Sequence, residues 1–249
     1  MKRFLVFLLV LAIAVGGVYI WWQFNAHRFL TQEMKRIGRS FFVNADSLSV
    51  ENGPVVLTGL REAKVSKLII SGDELVLRDG PILKHAKLIL KDVYVSGPPF
   101  NISRLNGGVF TATVTDTAVT EYLHKRGGGL RLVAKIPLDS VTVKFAKAGA
   151  SVLAQIPDPL FGKPLSVTAS GKLVPSSKIG QIDYQVRNVA VSGVNLAIKP
   201  VIDALGVLNP VVNVSEWPIM CEFTHIATGD GIVTLTAQIS GLRQRSLLP

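Results

Sequence analysis

The sequence predicts a mostly β protein of the α+β class. A long curved antiparallel sheet is expected to wrap around one or two short helices, preceded by an N-terminal transmembrane helix. Three observations predict this. Residues Phe4 to Trp22, FLVFLLVLAIAVGGVYIWW, form 19 consecutive uncharged and mostly apolar positions. Beyond residue 41 the apolar residues recur with period two, the signature of half-buried strands. Only two later segments, starting near Asp116 and Leu196, carry helical spacing.

The apolar run comes first in the chain. A helix rises about 1.5 Å per residue, so the run nearly spans the hydrocarbon core of a bilayer. Lys2 and Arg3 precede it, and Trp21 and Trp22 close it where an interfacial aromatic belt belongs. A cleaved secretory signal is the other reading, and it needs a small-x-small cleavage site. Ala14-Val15-Gly16 imitates such a site poorly and lies inside the run, which favours an uncleaved anchor. Lys2 and Arg3 argue for a cytoplasmic N-terminus, while Arg28, Lys35, Arg36 and Arg39 pull the other way. A short tail before a long domain behaves as a signal-anchor. The expectation is therefore a single-pass protein of the cell membrane with its bulk extracytoplasmic, in the periplasm or on the outer face. Trp21, Trp22, Arg28, Lys35 and Arg36 are its expected membrane-interface residues.

Three regions follow: a transmembrane signal-anchor over 1–22, an amphipathic helical stalk over 23–41, and one extracytoplasmic domain over 42–249. In the stalk, Phe24, Leu30, Met34, Ile37 and Phe41 make a helical stripe, which Gly38 is expected to weaken at its end.

In the domain the alternation is repeated. Leu130, Leu132, Ala134 and Ile136 predict one strand, and Val141, Val143 and Phe145 another. Leu165, Val167, Ala169 and Leu173 predict a third, Ile182, Tyr184 and Val186 a fourth, and Val233, Leu235, Ala237 and Ile239 a fifth. Each has one dry and one wet face, as antiparallel strands do. The phase slips at Lys91-Asp92 and at Asn188, which predicts bulges that bend the strands. Turns are marked by Ser71-Gly72-Asp73, Asp79-Gly80-Pro81, Asn106-Gly107-Gly108 and Gly229-Asp230-Gly231.

The first domain helix is predicted over Asp116 to Arg126. Thr115 is its N-cap, Asp116 and Lys125-Arg126 suit its two dipole ends, and Gly127 to Gly129 stop it. Val119, Tyr122 and Leu123 share one face. The second helix runs from Leu196 to Leu208, with Val201, Ile202, Leu205 and Leu208 on its apolar side and Pro200 near its start. So little helix over so much one-sided sheet allows an apolar groove; a filled sandwich satisfies the same pattern.

Charge and chemistry narrow the function classes. The net charge is +10, with six Lys/Arg and one Glu in residues 1–39 and 21 Lys/Arg and 16 Asp/Glu in residues 40–249. The first group is a membrane-flanking cluster. No basic run carries interleaved aromatics, so no nucleic-acid partner is expected. A single cysteine, Cys221, excludes an internal disulfide and a cysteine-based zinc site, and reads as a small buried hydrophobe. His27, His85, His124 and His225 lack metal-ligand spacing. No nucleophile elbow or phosphate loop is present. No catalytic residue, metal site or cofactor is expected. The sequons at Asn101 and Asn213 are acceptors only in a host that uses them. Trp217, before Pro218, is either a packed turn residue or a loop anchor dipping into lipid, and the packed turn is preferred.

Val55 to Leu75, VVLTGLREAKVSKLIISGDEL, resembles the opening strands of the LmeA-like phospholipid-binding proteins of bacterial envelopes. Gly107 to Arg126, GGVFTATVTDTAVTEYLHKR, is similar to that family's strand-then-helix unit, and the Glu216-Trp217-Pro218 strand start and last hairpin through Gly231 fit its end. The resemblance covers roughly Val50 to Leu242. It implies a non-enzymatic extracytoplasmic protein that binds phospholipid, with a fold similar to the tubular lipid-binding superfamily, where acyl chains lie between a curved sheet and a helix.

Two functions are thus expected as alternatives. One is a membrane-anchored protein that binds phospholipid or a lipid-linked precursor in envelope assembly or lipid transfer, with envelope-assembly proteins as further partners. Its lipid-contacting residues would be Val119, Tyr122, Leu123, Ile202, Leu205 and Leu208, on the apolar faces of the two helices. The other is a scaffolding module with a filled core that docks a partner enzyme through a sheet edge.

Overall fold

The structure, a computed structural model, describes residues 16–17, 25, 28–29, 31–36, 38–39, 42–59, 62–77, 80–96, 101–126, 131–132, 136–137, 140–156, 165–191, 194–195 and 209–243. Apart from Gly16 and Gly17, the apolar run Phe4–Trp22 lies outside them. Among the described residues no helix is long and apolar enough to cross a membrane. The predicted helix from Leu196 to Leu208 also lies outside the described residues.

Residues 31–36 are helical (α1), and the helical backbone continues at Gly38. A short 3-10 turn, Ala45–Ser47, leads to seven strands: β1 (Ser49–Asn52), β2 (Val55–Leu57), β3 (Glu62–Gly72), β4 (Leu75–Val76), β5 (Ile82–Ser96), β6 (Asn101–Arg104) and β7 (Gly108–Thr115). Helix α2 (Asp116–Arg126) follows. Then come β8 (Arg131–Leu132), β9 (Ile136–Pro137), β10 (Thr142–Ala146), β11 (Gly149–Ile156), β12 (Leu165–Pro175), β13 (Gln181–Val191), β14 (Val194–Asn195), β15 (Val212–Asn213), β16 (Ile219–Thr228) and β17 (Ile232–Leu242).

The chain is mostly β, as its period-two alternation requires. The strands divide between two principal sheets instead of forming one. The first has the order β1-β3-β5-β7-β17-β16, with β2 beside β3 and β4 and β6 beside β5. The second has the order β10-β11-β12-β13-β14, with β15 beside β13. All of these pairings are antiparallel. The single strand expected over Leu130 to Ile136 is instead a hairpin. Arg131 faces Pro137 and Leu132 faces Ile136, so the chain reverses between β8 and β9.

The predicted dry faces are dry. Val141, Val143 and Phe145 are buried, as are Val167, Ala169, Ile182 and Tyr184, and Val233, Leu235, Ala237 and Ile239. They join one core that runs across both sheets and takes in Met34 of α1. Cys221 belongs to it, and burial pushes its thiol up to about 12. Tyr184 is also buried, which raises its phenol above its ordinary value; its hydroxyl donates to the Ala169 and Ala150 carbonyls at 3.0 and 3.3 Å.

The phase slips are where the strands bend. At Asp92 the buried set of β5 changes from Leu90 to Val93 and Val95. Partner β3 changes at the same level, from Leu68 to Val65 and Ala63, so Leu68 still faces Leu90 and Val65 still faces Val93. Two coupled slips exchange the faces without breaking register. Asp92 takes the left-handed conformation there, φ 46°, and its carboxylate is held by Lys64 Nζ at 2.7 Å and Asn106 Nδ2 at 3.3 Å. Those contacts, Lys64 first and then Asn106, hold the carboxyl below its ordinary range, and the Asp92 hydrogen bond raises Lys64. Between β12 and β13 the register moves from Ser170–Asn188 to Gly171–Val186. The extra residue is Arg187, one place before the predicted Asn188. Another register shift separates Lys84–Thr113 from Lys87–Thr111, at His85 with φ 49°.

Helix α2 starts as predicted. The Thr115 hydroxyl accepts the Ala118 amide at 3.1 Å, and the Asp116 carboxylate accepts the Thr117 amide at 2.7 Å. The helix lies between the sheets, touching β5 and β7 on one side and β10 on the other. Its polar side chains satisfy β10: Thr120 Oγ1 accepts the Val143 amide at 3.0 Å, and His124 Nε2 donates to the Val141 carbonyl at 2.7 Å. The edge of the second sheet is therefore covered at these two residues.

Candidate functional site

Space within the described residues is unevenly distributed. At Val119 and Leu123 the predicted lipid wall on α2 has almost none. Val119 and Leu123 are buried, and the gap they and Tyr122 share with Val143, Phe145, Val152 and Tyr184 is about 20 Å³. That suffices for no acyl chain; the helix face fills the second sheet as a core element does. Ile202, Leu205 and Leu208, the other predicted wall residues, lie outside the described residues, as do Trp21 and Trp22.

A cleft of about 430 Å³ opens instead between α1 and the first sheet. Ligand pockets have this size, roughly 300–1,000 Å³. Its wall from the sheet consists of Ile70 on β3, Leu88 and Leu90 on β5, Ile102 on β6, Phe110 on β7 and Leu242 on β17. Met34, Gly38 and Phe42 come from the N-terminal side, and Trp217, Pro218 and Ile219 close it near β16. Ile70 and Leu88 share the phase of the buried Leu68 and Leu90 yet are only half-buried. They are core-facing residues that no helix among the described residues covers fully.

Close packing fixes two parts of the cleft's lining. Trp217 stands edge-on to Phe42 and Phe110, with ring centroids 5.8 and 5.3 Å away. It is 6 % exposed, the packed turn residue of the preferred reading. Gly38 lets the helix approach the 3-10 turn. A Cβ there would lie 2.6 Å from Leu48 Cδ1 and 3.3 Å from Ala45 Cβ. The glycine expected to weaken the helix end is what seats it. Lys35 Nζ donates to the Asp46 carbonyl at 2.8 Å, and Arg39 reaches the Asp46 carboxylate at 3.0 Å. Asn44 ties this segment to β4, accepting the Val76 amide at 2.9 Å and donating to the Glu74 carbonyl at 2.8 Å.

Four charged residues complete the lining: Glu33, Arg36, Lys87 and Arg243. Glu33 pairs with Arg36, whose guanidinium is held above its ordinary value by that bond. Lys87 and Arg243 form no ion pair among the described residues. Of the predicted interface residues, Arg36 is therefore at the cleft, Lys35 is held to Asp46, and Arg28 is helical and exposed.

A larger opening of about 640 Å³ lies beside α2, between Val43, Val76 and Leu77 and the helix residues Ala118, Glu121, Lys125 and Tyr122, the last a predicted lipid-contacting residue. Its lining mixes apolar and charged groups. Asn213, on its border, is half-buried and accepts the Ser215 amide at 3.0 Å, so this sequon's side chain is engaged. Among the described residues no three His, Cys, Asp or Glu side chains gather as a metal site would need.

Sequence reasoning missed the cleft because it assigned the wall to helix faces. The signal was in the strands: Ile70 and Leu88 continue dry faces beyond the part that α2 can reach. No protein-family model, curated protein or solved structure matches the chain.

Proposed function

We propose that this is a membrane-anchored, non-enzymatic protein that holds an acyl chain of a phospholipid or lipid-linked precursor in the cleft between α1 and the first sheet. One observation carries the reading: a cleft of about 430 Å³ whose sheet wall is Ile70, Leu88, Leu90, Ile102, Phe110 and Leu242. Burying a hydrocarbon chain there would yield about 0.8 kcal/mol per CH₂, with no catalytic group needed. Cationic Lys87 and Arg243 in the lining, which form no ion pair among the described residues, suit a chain that ends in a phosphate head group. The anchor over Phe4–Trp22, the extracytoplasmic placement and a role in envelope assembly belong to the same proposal. They rest on the apolar run and on the resemblance to LmeA-like proteins. The scaffold alternative needs a filled core, and the open cleft argues against it.

The test uses the full chain in bilayers containing a phospholipid with a photoreactive diazirine in its acyl chain. Cross-links are expected in two places: the Phe4–Trp22 peptide and peptides holding Met34, Leu88 or Trp217. Cross-links confined to the Phe4–Trp22 peptide would refute the cleft reading.

A further inference from the structure

The outward face of the first sheet carries a charge arrangement that the fold itself does not use. Lys67 on β3 and Lys91 on β5 are direct partners in an antiparallel pair. Their neighbours Leu68 and Leu90 are buried, so both lysines project from the opposite, outer face, where both are exposed. Like charges directly opposite on paired strands destabilise a sheet. Neither lysine forms an ion pair among the described residues. Asp92, next to Lys91, feels its charge but is bonded to Lys64 and Asn106, and Glu51, opposite Ile69, pairs with neither lysine.

More cations surround the pair. Lys87, four residues before Lys91 on β5 and opposite Ser71, borders this face and also lines the cleft. Arg104 stacks over the Tyr94 ring at 3.9 Å, and Lys64 stands 5.8 Å from the same ring while bonded to Asp92. Between the lysines of β5 the outer face shows Ile89, with Ile69 beside it, both half-buried. The second sheet is different. There Lys144 faces Ser151 and Lys172 faces Gln185, so no two cations oppose each other.

We propose that the outer face of β3 and β5, centred on Lys67 and Lys91, docks against an anionic membrane surface. A cluster of exposed lysines around a small apolar centre complements a surface of phosphates, and lysines near such a surface are each attracted to it. The repulsion built into the sheet is relieved when the face meets negative charge. Lys67 and Lys91 do not line the cleft, so the proposal stands on a different surface of the same protein.

Amine acylation of the full chain in lipid nanodiscs tests it. One preparation contains phosphatidylcholine alone and the other equal parts phosphatidylcholine and phosphatidylglycerol. At low salt, Lys67 and Lys91 should be acylated about fivefold more slowly in the anionic discs. The difference should vanish in high salt, while Lys172 and Lys178 keep one rate throughout. Equal rates in both discs would overturn the proposal. Protection in both discs, indifferent to salt, would also overturn it, because the face would then be covered by protein. Lys67→Glu supplies the second arm. It turns the repulsive pair into an attractive one, so the variant should melt at a higher temperature while Lys91 loses its protection in anionic discs. A variant that melts lower, or leaves Lys91 fully protected, contradicts the charge argument.

Discussion

The two sheets of this protein solve the same problem differently. Both present a dry face of alternating Val, Ile, Leu and Ala. In the second sheet that face meets α2 directly, and the residual gap is about 20 Å³. In the first sheet the dry face extends past α2, and α1 stands at its margin with Met34 buried, leaving about 430 Å³ open. Alternation dictates that a face must be covered, not what covers it. A helix whose own side chains bond the neighbouring strand, as Thr120 and His124 do, closes a core. A helix seated on the 3-10 turn at Gly38 and Asp46, with only Met34 of its described side chains buried against the core, leaves room.

The sharpest way to break this contrast is to place one charge in each region. Leu123→Asp buries a carboxylate in the filled interface, at a cost of roughly 3 kcal/mol or more. Leu88→Asp places it on the half-buried cleft wall. Circular dichroism should show Leu123→Asp without a cooperative melt. Leu88→Asp should stay folded and lose only the lipid cross-links of the cleft. Equal damage from both would mean that the two regions are one filled core.

A smaller change sharpens the role of α1. Gly38→Val drives a side chain into Leu48 and Ala45 and should destabilise by about 1–3 kcal/mol, as overpacking does. Thermal melts measure that loss. Lipid cross-linking to Met34 should fall with it, because the helix no longer seats.

How much of this was legible in the sequence depends on range. The strands of Val141–Phe145 and Val233–Ile239 followed from alternation alone, and the Thr115 cap followed from local hydrogen-bond chemistry. The bend near Asn188 was readable to within one residue, because the shift is a property of one strand. The coupled slip at Asp92 was half readable: β5 showed it, but that β3 slips in step is a property of the pair. The site was not readable. Val119 and Leu123 have the same apolar character as Ile70 and Leu88, and only three-dimensional placement makes the first pair core and the second a wall.

The smallest expected effect concerns pH. Asp92 has a folded value below its unfolded one, so its contribution is present above the ordinary aspartate value near about 3.9 and is lost as pH falls through the depressed folded value. Lys64 is raised, so its contribution is present below the ordinary lysine value and is lost as pH rises through the raised one. Both groups are solvent-accessible, so each effect is modest. Melting temperature should be flat near neutrality and dip slightly at both extremes. Asp92→Asn should flatten both limbs, because the Asp92 carboxylate is also what raises Lys64.

The most direct measurement uses the tryptophans, of which the chain has three: Trp21, Trp22 and Trp217. A full chain carrying Trp21→Phe and Trp22→Phe reports from Trp217 alone, which lines the cleft and is otherwise buried. It is placed in bilayers whose phospholipids are brominated along the acyl chains, since bromine quenches tryptophan only at near contact. Trp217 emission should fall relative to unbrominated bilayers, and Leu88→Asp should restore it. Unchanged Trp217 emission, in bilayers where a chain retaining only Trp22 is quenched, would contradict an acyl chain in the cleft.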